Sequence, residues 1–452
     1  MSAPPPPGPR GGLLLGSTLD FKQQPLHYLE YVHRAYGDVA RFRVGPSWWY
    51  LVAHPEHIWD IMTRRSDVFL KPQLARRLWD KFLGHGLLTT EGDTWKRQHR
   101  LVLPALHRRR ISAYGETMVR YTDAMVDLWA DGESLDFDEA MVKLTLAIVA
   151  KALFDADVSD GAEQVGAAMH VLQQEMLEHI HMPIPVPRWW PSARNRRKLR
   201  AVEDMEDVVR GVIEARRSAG EDRGDLLSML LLARDEAGES LTDKEIRDQS
   251  MTLFFAGHET TAHAMTWMWF LLARNPAVTA RLVEDIDEVT RGQALSLAHL
   301  GQLPFLEQTV KEAMRLLPSV WVYMKEPTED VEVGGYLIPK GSPVLISPWV
   351  THRDPRWFPS PQTFDPDRFA PERQKTLPHG AYIPFSGGQR ICIGKSFAMM
   401  EAQLVMGRLL QRVRPEVPAE HQPRMKSELS NHPEGGLPVV VRLRTGASTV
   451  AV

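Results

Sequence analysis

The amino-acid sequence predicts a mainly helical protein with a small β region. Apolar residues recur at helical spacing from about residue 56 to residue 273, with few turn signals between them. Residues 318–384 differ, because they combine short β-prone stretches with many prolines and with the turn signals Gly334-Gly335 and Pro339-Lys340-Gly341. Residues 394–413 return to the helical pattern, so the β-rich part is an insertion in a helical chain.

The elements before the long helical region are short. Five prolines among the first nine residues predict a flexible leader over residues 1–18, and we expect residues 19–452 to form a single domain. An amphipathic stripe predicts a helix over residues 25–36. Residues 39–44 and 48–52 are predicted to pair as two strands around a glycine–proline turn.

The clearest single element is a long helix that begins after Thr242. Thr242 and Glu245 form a capping-box pattern, and Pro276 supplies the stop signal. The predicted helix has about 32 residues and a length of roughly 48 Å. Another helix is predicted over residues 306–316, and a hairpin over residues 438–443 is predicted to close the chain.

Composition excludes several classes of function. The 54 basic and 57 acidic residues nearly cancel, to a net charge of −3, so the chain is not a general binder of nucleic acid. The single cysteine, Cys392, excludes an internal disulfide, a multi-cysteine zinc site and a protein-ligated iron–sulfur cluster. No run approaches the roughly 20 apolar residues that span a bilayer, and no signal peptide is recognisable. We expect a cytoplasmic protein without a transmembrane anchor.

Two motifs resemble known sites and fail on spacing. His258 and His263 are five residues apart, whereas a zinc-protease helix needs a spacing of about four so that both imidazoles face one metal. Gly388 and Gly394 enclose five residues, whereas a phosphate-binding loop needs about four. Zinc hydrolysis and nucleotide binding are therefore disfavoured.

The segment around Cys392 carries the chemistry. The cysteine lies among glycines just before a predicted helix, so backbone amides and the helix dipole favour its thiolate form. Glycines allow a flat ligand to approach the backbone closely, and Arg390 can bind an anionic group on that ligand. The alternative interpretation is a buried structural cysteine.

This segment, Phe385-x-x-Gly388-x-Arg390-x-Cys392-x-Gly394, resembles the haem-binding signature of the cytochrome P450 monooxygenases at every position. The resemblance implies that Cys392 is the axial thiolate ligand of haem b, iron protoporphyrin IX. It makes Arg390 a propionate partner and Phe385 a packing residue beside the sulfur, and it includes Gly394 in the binding loop. The implied fold is a triangular prism, with the haem buried between a long distal helix and the cysteine loop.

The segment Ala256-Gly257-His258-Glu259-Thr260-Thr261 lies inside the long predicted helix. Glycine and threonine weaken a helix by roughly 0.5–1 kcal/mol each and invite a local kink with freed carbonyls. One interpretation is a tolerated irregularity, and the other is a carboxylate and a hydroxyl that relay protons. The resemblance implies the relay, with Glu259 and Thr260 as the acid–alcohol pair that delivers protons to dioxygen at the iron, and with Ala256 beside the haem.

Glu312 and Arg315 lie three residues apart on a predicted helix. By itself this spacing is typical of a surface ion pair. The resemblance implies an internal ion pair instead, completed by Arg368 in the segment Pro366-Asp367-Arg368-Phe369. Its implied role is to support the haem-binding core.

Trp95 and His99 are four residues apart and are predicted to share a helix face. The family usually has Trp-x-x-x-Arg here, which binds a haem propionate. This chain has His99 at the arginine position and Arg100 next to it, so either can be the propionate partner. Lys325 likewise stands where the family often has a propionate-binding arginine.

The resemblance also implies partners. The chain extends only about 60 residues beyond Cys392, so we expect electrons from a separate ferredoxin or flavodoxin. A basic cluster of Lys96, Arg97, Arg100 and residues 108–110 is the expected dock, with a solvated surface as the alternative. The apolar loop 182–191 is expected to make a peripheral contact with a membrane or another subunit, or to pack inward.

The expected substrate is apolar, because the candidate pocket residues by family position are apolar. These are Leu253, Phe254, Ala256, Val320, Trp321 and Val322. Similar bacterial fatty-acid hydroxylases hold a carboxylate with an arginine and a tyrosine near the positions of Ser47 and Leu51. This chain has neither residue there, which argues against a free acid. The block Pro433-Glu434-Gly435-Gly436-Leu437-Pro438 resembles the end of bacterial carotenoid-ring hydroxylases, so we expect hydroxylation or epoxidation of an isoprenoid, either a carotenoid or a terpene. The alternatives are a fatty-acid or other lipid hydroxylase, a peroxide-driven haem-thiolate peroxygenase and a non-enzymatic haem sensor.

Overall fold

The structure, a computed structural model, describes residues 3–12, 14–107, 111–155, 193–219 and 223–444 of the 452-residue chain. The loop 182–191 and residues 108–110 of the predicted basic cluster lie outside the described residues, and the membrane contact of that loop stays a prediction. Most of the described chain is helical, as the sequence predicts. None of the described helices has both the length and the apolar character that a bilayer span requires.

The described helices are α1 (Thr18–Gln23), α2 (Pro25–Tyr36), α3 (Pro55–Met62), α4 (Gln73–Leu83), α5 (Gly92–Val102), α6 (Gly115–Val126), α7 (Phe137–Phe154), α8 (Ala193–Ala219), α9 (Leu226–Leu232), α10 (Asp243–Gly257), α11 (Glu259–Arg274), α12 (Pro276–Thr290), α13 (Leu297–Leu300), α14 (Pro304–Leu316), α15 (Pro348–Thr351), α16 (Pro371–Gln374) and α17 (Lys395–Arg412). Short 3₁₀ turns cover Leu103–Leu106, Ser112–Tyr114, Pro366–Phe369 and Gly388–Arg390. The helices predicted over residues 25–36 and 306–316 correspond to α2 and α14.

The β region consists of short strands. They are β1 (Val39–Val44), β2 (Ser47–Val52), β3 (Phe69–Leu70), β4 (Ser134–Asp136), β5 (Tyr323–Pro327), β6 (Val331–Val333), β7 (Tyr336–Ile338), β8 (Val344–Ile346), β9 (Met425–Ser427), β10 (Asn431–Pro433) and β11 (Pro438–Val440). One sheet has the strand order β1-β2-β8-β5-β3, in which β2 and β8 run parallel and the other neighbours antiparallel. The pairing of β1 with β2 confirms the predicted strand pair.

The C-terminal strand does not form the predicted hairpin. β11 pairs antiparallel with β4, with Val439 opposite Leu135. The Leu437 N–H donates to Asp136 Oδ1 at 2.9 Å, a contact between residues 301 positions apart. A short apolar stretch predicts a strand, but it carries no information about a partner that lies so far away in sequence.

The leader residues that the structure describes lie along the β region. The Leu337 N–H donates to the Pro4 carbonyl, and the Arg41 N–H donates to the Pro7 carbonyl, both at 2.9 Å. Proline lacks an N–H but keeps its carbonyl acceptor, so a proline-rich segment can still be held from one side. The sequence predicts a flexible leader, whereas these bonds attach it to β1 and β7. The division into a leader and a single domain stays a prediction.

Two apolar clusters meet at the segment that carries Cys392. The larger cluster is built by α6, α7, α11, α14 and α17, and in it the rings of Phe137 and Trp269 stack with centroids 4.6 Å apart. The second cluster is built by α4, α5, α9 and α10 and is contacted by Ile393. Phe397 packs against both clusters. The start of α17 is therefore fixed from two sides.

The long helix predicted from Thr242 to Pro276 consists of two helices. The predicted capping box is present, because the Glu245 N–H donates to Thr242 Oγ1 at 3.2 Å and the Thr242 N–H donates to the Glu245 carboxylate at 2.9 Å. The helical pattern is interrupted at His258, so α10 and α11 are separate elements. The predicted kink is thus a one-residue interruption, at which His258 keeps right-handed backbone angles (φ −87°, ψ −56°).

Candidate active site

Cys392 lies in a tight loop that leads into α17. Its N–H donates to the Phe385 carbonyl at 2.9 Å, which closes the loop. Gly388 has a φ of +64°, and a side chain there would overlap the Met62 carbonyl oxygen, so this position requires glycine. A methyl group added to Gly394 would lie 3.8 Å from the Cys392 sulfur, an ordinary van der Waals contact. Gly388 therefore determines the path of the loop, and Gly394 leaves space beside the sulfur.

The surroundings of the Cys392 thiol act on its pKa in opposite directions. Burial raises the pKa, while the N–H groups of Gly394 and Lys395 and the Lys395 ammonium oppose the rise. These groups belong to the start of α17, where the sequence predicts them. Iron at the sulfur favours the thiolate, because the thiolate is the metal-binding form of cysteine.

Tyr323 on β5 anchors the same loop, and the sequence analysis does not find it. Its hydroxyl lies 2.9 Å from each of the carbonyl oxygens of Ile383 and Pro384 and accepts the Ser386 N–H at 2.8 Å. Burial raises the pKa of Tyr323, so the phenol keeps the proton that it donates. The available signal is strand alternation, because Tyr323 and Lys325 lie two residues apart on one strand.

Arg390 and Trp95 form the centre of the site. The Arg390 guanidinium lies 3.7 Å from the centroid of the Trp95 indole. The rings of Trp95 and His99 have centroids 4.8 Å apart, which confirms that these residues share a helix face. Burial lowers the pKa of His99, so its imidazole is neutral near pH 7 and offers a hydrogen bond rather than a charge.

Arg100 is placed elsewhere. Its side chain is 60% exposed and pairs with Glu236. Successive residues of an α-helix point about 100° apart, so His99 and Arg100 cannot both face Trp95. Of the two residues that the sequence leaves open, the structure places His99 beside Trp95 and Arg100 beside Glu236, and a propionate contact from either stays a prediction.

Arg390 belongs to a group of cations that we call the cationic group: Lys71, Arg76, Lys325 and Arg390. Burial lowers the pKa of Lys325 to about 8 and of Arg390 to about 10, and it lowers that of Lys71 well below the ordinary value. The Glu91 carboxylate pairs with Arg390 and accepts the Lys71 N–H at 3.1 Å. Among the described residues no other carboxylate forms an ion pair with these cations, so the group has excess positive charge. No sequence motif identifies Lys71 or Arg76 as a member of the cationic group.

These residues fit an iron porphyrin. Two propionates would balance the excess charge of the cationic group. The apolar side chains of Ile393 and Phe397 and the Gly388 loop can border a flat macrocycle. Cys392 is accessible and supplies the soft sulfur ligand that iron accepts.

The break between α10 and α11 has a local cause. The His258 ring lies 3.0 Å from the Phe254 carbonyl, the Thr260 hydroxyl donates to the Ala256 carbonyl at 2.9 Å, and the Thr261 hydroxyl donates four residues back at 3.1 Å. Side-chain donors thus occupy the carbonyls that a continuous helix would use for its backbone bonds, and such bonding bends helices. The expected acid and alcohol therefore stand at a helix break.

The predicted distal residues lie together. Glu259 begins α11 next to Thr260, and both are partly buried. The Ser430 hydroxyl donates to Glu259 Oε2 at 3.4 Å. Ala256 is exposed, so its methyl group is accessible on the α10 side of the break. The sequence analysis does not find Ser430, because it lies 171 residues from Glu259.

The predicted internal ion pair is present. Arg315 and Glu312 are fully buried and joined by two bonds, from Nε at 2.6 Å and from Nη2 at 2.9 Å. Arg368 adds a contact to Glu312 Oε1 at 3.3 Å. Arg315 also donates to the carbonyls of His352 and Pro361, both at 2.8 Å. The pair therefore links α14 to the loop that follows α15.

The candidate pocket residues divide between two places. Phe254 is buried in the second apolar cluster, and Leu253 packs against it. Trp321 and Val322 pack instead with β1, β2 and β8, and the Trp321 indole donates to the Glu428 carbonyl at 2.8 Å. Of these four residues, Leu253 and Phe254 share the cluster that Ile393 contacts.

The three residues of the predicted basic dock that the structure describes, Lys96, Arg97 and Arg100, all contact carboxylates. Arg97 pairs with Asp235 at 2.7 Å and with Glu245 at 2.8 Å, and Arg100 pairs with Glu236. Lys96 contacts an aspartate at 3.5 Å. The number of basic residues in a segment of sequence does not show whether distant carboxylates pair with them.

Comparisons with known proteins agree with this geometry. The family profile of the cytochrome P450 proteins matches residues 6–438. Cyclooctatin synthase from Streptomyces melanosporofaciens is 38% identical over 94% of this chain and 93% of its own length. Pentalenene oxygenase from Streptomyces avermitilis is 32% identical over 89% of each chain, and a human ultra-long-chain fatty acid omega-hydroxylase is 33% identical over 86% of this chain and 78% of its own.

The fold is also found in a solved structure. The crystal structure of the cytochrome P450DA haem domain superposes with a TM-score of 0.90 and 26% identity, and covers 99% of each chain. Such coverage leaves no major part of the chain without a counterpart. The cysteine loop, the family profile and the solved structure together show that this chain belongs to the cytochrome P450 family of haem-thiolate monooxygenases.

Proposed function

We propose that this protein inserts one oxygen atom of dioxygen into an apolar isoprenoid, a terpene or a carotenoid, by hydroxylation or epoxidation. The observation that carries the proposal is the acid–alcohol pair, Glu259 and Thr260, at the break of the distal helix. Haem b, when bound, supplies the iron chemistry that activates dioxygen. A protein that only senses haem has no need of a proton-donating pair.

The cysteine side of the site holds the cofactor. Cys392 would supply the sulfur ligand of the iron, and Arg390 and Lys325 would bind the propionates with charge-assisted hydrogen bonds. His99, which is neutral and packs against Trp95, would donate one hydrogen bond to a propionate. Phe385 packs beside the sulfur, and its carbonyl fixes the cysteine backbone.

The residues at the helix break are placed to transfer protons. The Thr260 hydroxyl donates to the Ala256 carbonyl, so its oxygen remains an acceptor that can take up a water molecule. Glu259, the neighbouring residue, is the group that exchanges protons with that water. The pair therefore supports reductive oxygen activation rather than a reaction driven by peroxide.

Relatives favour an isoprenoid substrate. Two similar Streptomyces proteins are a cyclooctatin synthase and a pentalenene oxygenase, and their products belong to terpene chemistry. The human fatty acid omega-hydroxylase keeps a lipid substrate as the second candidate. Ser47 is exposed and Leu51 is fully buried, so neither position offers a cation for a fatty-acid carboxylate.

The electron donor in this proposal is a separate ferredoxin or flavodoxin. Since Arg97 and Arg100 are compensated, the dock is better assigned to cations near the cysteine loop. Arg64 is 84% exposed and forms a long contact of 3.9 Å with Asp60, and its neighbour Thr63 contacts the position of Gly388. Arg64→Glu is expected to slow reduction by an acidic ferredoxin but not by dithionite, with Arg100→Glu as the matched variant. Equal rates for Arg64→Glu and the unchanged protein would place the dock elsewhere.

The central test compares electron sources and substrates. We expect product from a terpene with ferredoxin, its reductase and NAD(P)H, and little product with hydrogen peroxide alone. A Soret titration against terpenes, carotenoids, steroids and fatty acids is expected to show the largest shift with an isoprenoid. Turnover with peroxide alone would favour the peroxygenase, and tight binding confined to fatty acids would favour the lipid hydroxylase.

A further inference from the structure

A buried polar chain leads away from Glu259 along one face of α11. Ser430 lies in the turn between β9 and β10, with its Oγ 3.4 Å from Glu259 Oε2 and 2.9 Å from His263 Nδ1. His263 follows Glu259 by one helical turn, so both side chains lie on the same face of the helix. Ser430 and His263 are each 3% exposed. The serine hydroxyl is therefore a bridge between two residues of α11.

The hydrogen bonds that link His263, Ser430 and Glu259 all run in one direction, towards Glu259. The Ser430 hydroxyl donates to the Glu259 carboxylate, and a hydroxyl has only one proton. Its oxygen must therefore accept from His263, which assigns the imidazole proton to Nδ1. Nε2 is left as the acceptor, and it lies 3.8 Å from Asp138 Oδ2 on α7.

Asp138 is suited to supply a proton to that acceptor. Burial raises the pKa of Asp138 to about 6, so roughly a tenth of the carboxyl groups is protonated at pH 7. Its Oδ1 has no hydrogen-bond partner among the described residues, and 14% of the side chain is exposed. Asp138 therefore stands between solvent and His263.

Burial and the neighbouring histidines keep His263 neutral. Burial lowers its pKa well below the ordinary value, and His258 and His432 add to this effect. The His432 ring stacks on it with centroids 5.2 Å apart, and Glu428 lies behind His432 at 3.9 Å. Asp136 acts on Asp138 rather than on His263. A neutral imidazole can accept a proton at one ring nitrogen while it releases a proton from the other, so the ring carries no net charge before or after the transfer.

We propose that Asp138, His263 and Ser430 form a relay that returns a proton to Glu259 in each turnover. The inference rests on the role of Glu259 in the proposed function. The Asp138 O–H bond breaks as a bond to His263 Nε2 forms, Nδ1 passes its proton to Ser430 Oγ, and Ser430 passes its own proton to Glu259. Asp138 is left as a carboxylate and takes a proton from solvent. His263 is left as the Nε2-H tautomer, and proton exchange with water returns it to the Nδ1-H form before the next turnover. The 3.8 Å step is closed by a bridging water or a side-chain rotation.

The turn that carries Ser430 is anchored without it. The Trp267 indole donates to the Asn431 carbonyl at 2.9 Å, and the Asn431 amide donates to the Pro318 carbonyl at 2.8 Å. Removal of the Ser430 hydroxyl therefore interrupts the relay and leaves the turn in place. This separates a relay role from a purely structural one.

The test compares three variants of the holoenzyme with the unchanged protein. His263→Gln keeps a donor but cannot exchange protons, Ser430→Ala removes the bridge, and Ser430→Thr restores it. We expect product per NAD(P)H to fall about three- to tenfold in the first two, with a larger solvent isotope effect and unchanged substrate affinity, and to recover in Ser430→Thr. Nitrogen NMR of labelled histidine in the reduced carbon monoxide complex is expected to show the Nδ1-H tautomer of His263, lost in Ser430→Ala.

The variant Glu259→Gln distinguishes a failure of the relay from a failure of the proton role of Glu259. Uncoupling in Glu259→Gln together with normal coupling and isotope effect in both His263→Gln and Ser430→Ala overturns the relay and leaves the proposed function standing. Normal coupling in Glu259→Gln overturns the proton role of Glu259 and the relay with it. An Nε2-H tautomer of His263 in the unchanged protein also overturns the relay, whatever the activities.

Discussion

The Arg390 guanidinium lies over the Trp95 indole, 3.7 Å from its centroid. This contact joins the cysteine loop to α5, two parts of the chain that sequence alone treats separately. Arg390 also donates to the Thr90 carbonyl at 3.3 Å and pairs with Glu91. A single side chain thus connects the start of α5 to the loop that carries the thiolate.

Loss of the Arg390 charge is expected to weaken haem binding. A charge-assisted hydrogen bond contributes about 1.5–3 kcal/mol, so Arg390→Leu is expected to release haem about tenfold to a hundredfold faster. Transfer of haem to an acceptor globin measures this rate. Glu91→Gln is the matched variant, and it is expected to slow the transfer because it removes the carboxylate that competes with the propionates. Equal transfer rates in all three proteins would contradict the propionate assignment.

The Cys392 sulfur is expected to be the iron ligand. Cys392→Ser is expected to lose the thiolate-type absorption of the reduced carbon monoxide complex, because an alcohol is a much weaker anionic donor than a thiol. Ser396→Ala, at an exposed position of α17, controls for a local change of the helix start. A thiolate-type spectrum in Cys392→Ser would refute the assignment.

Thr260 and Thr261 provide a matched pair of substitutions. Their hydroxyls make the same kind of bond to a carbonyl four residues back, but Thr260 is partly exposed at the break and Thr261 is buried. Thr260→Ala is expected to lower product per NAD(P)H by about tenfold and to divert electrons to hydrogen peroxide. Thr261→Ala is expected to keep its coupling. If both variants uncouple equally, helix geometry rather than the Thr260 hydroxyl is responsible.

Arg315 is expected to be a main determinant of stability. Breaking a buried ion pair costs about 3–5 kcal/mol, because it leaves a buried charge poorly compensated, and of its two ion pairs Glu312 would keep only the contact with Arg368 at 3.3 Å. Arg315→Met is therefore expected to lower the free energy of unfolding in urea by this amount. Arg442→Met removes an exposed pair with Glu416 and is expected to cost less than about 1 kcal/mol. Similar losses in both variants would contradict this interpretation.

Lys325 predicts a pH dependence of haem binding. Burial lowers its pKa to about 8, whereas bound propionates would favour the charged form and raise the pKa. Below about pH 8 Lys325 is charged in both states, so its contribution is fully present. Above that value haem binding must take up a proton, and affinity falls by up to about tenfold per pH unit. Haem transfer measured from pH 7 to 9.5 is expected to accelerate, and Lys325→Met is expected to flatten the curve. An identical pH profile in that variant would remove Lys325 from the propionate site.

Local chemistry explains what could be predicted from sequence. The loop around Cys392 needs glycine and arginine at close spacing, the capping box at Thr242 needs residues three apart, and Trp95 and His99 lie one turn apart on one helix. Each of these features depends on neighbours in the chain, so the residues themselves carry the information. Even the kink at His258 has a local cause, since its side-chain bonds reach only four residues back.

Contacts between distant segments were decided only by the tertiary structure. Packing brought Lys71 near both Arg390 and Lys325, paired Arg97 with Asp235, and set Ser430 between Glu259 and His263. The energy of such contacts depends on burial and on which side chains face each other. Neither property follows a periodic pattern in the sequence. The sequence by itself thus determined the helical class and singled out Cys392 as the expected iron ligand, whereas folding decided the charge around Arg390 and the surroundings of Glu259, because electrostatic interactions act through space rather than along the chain.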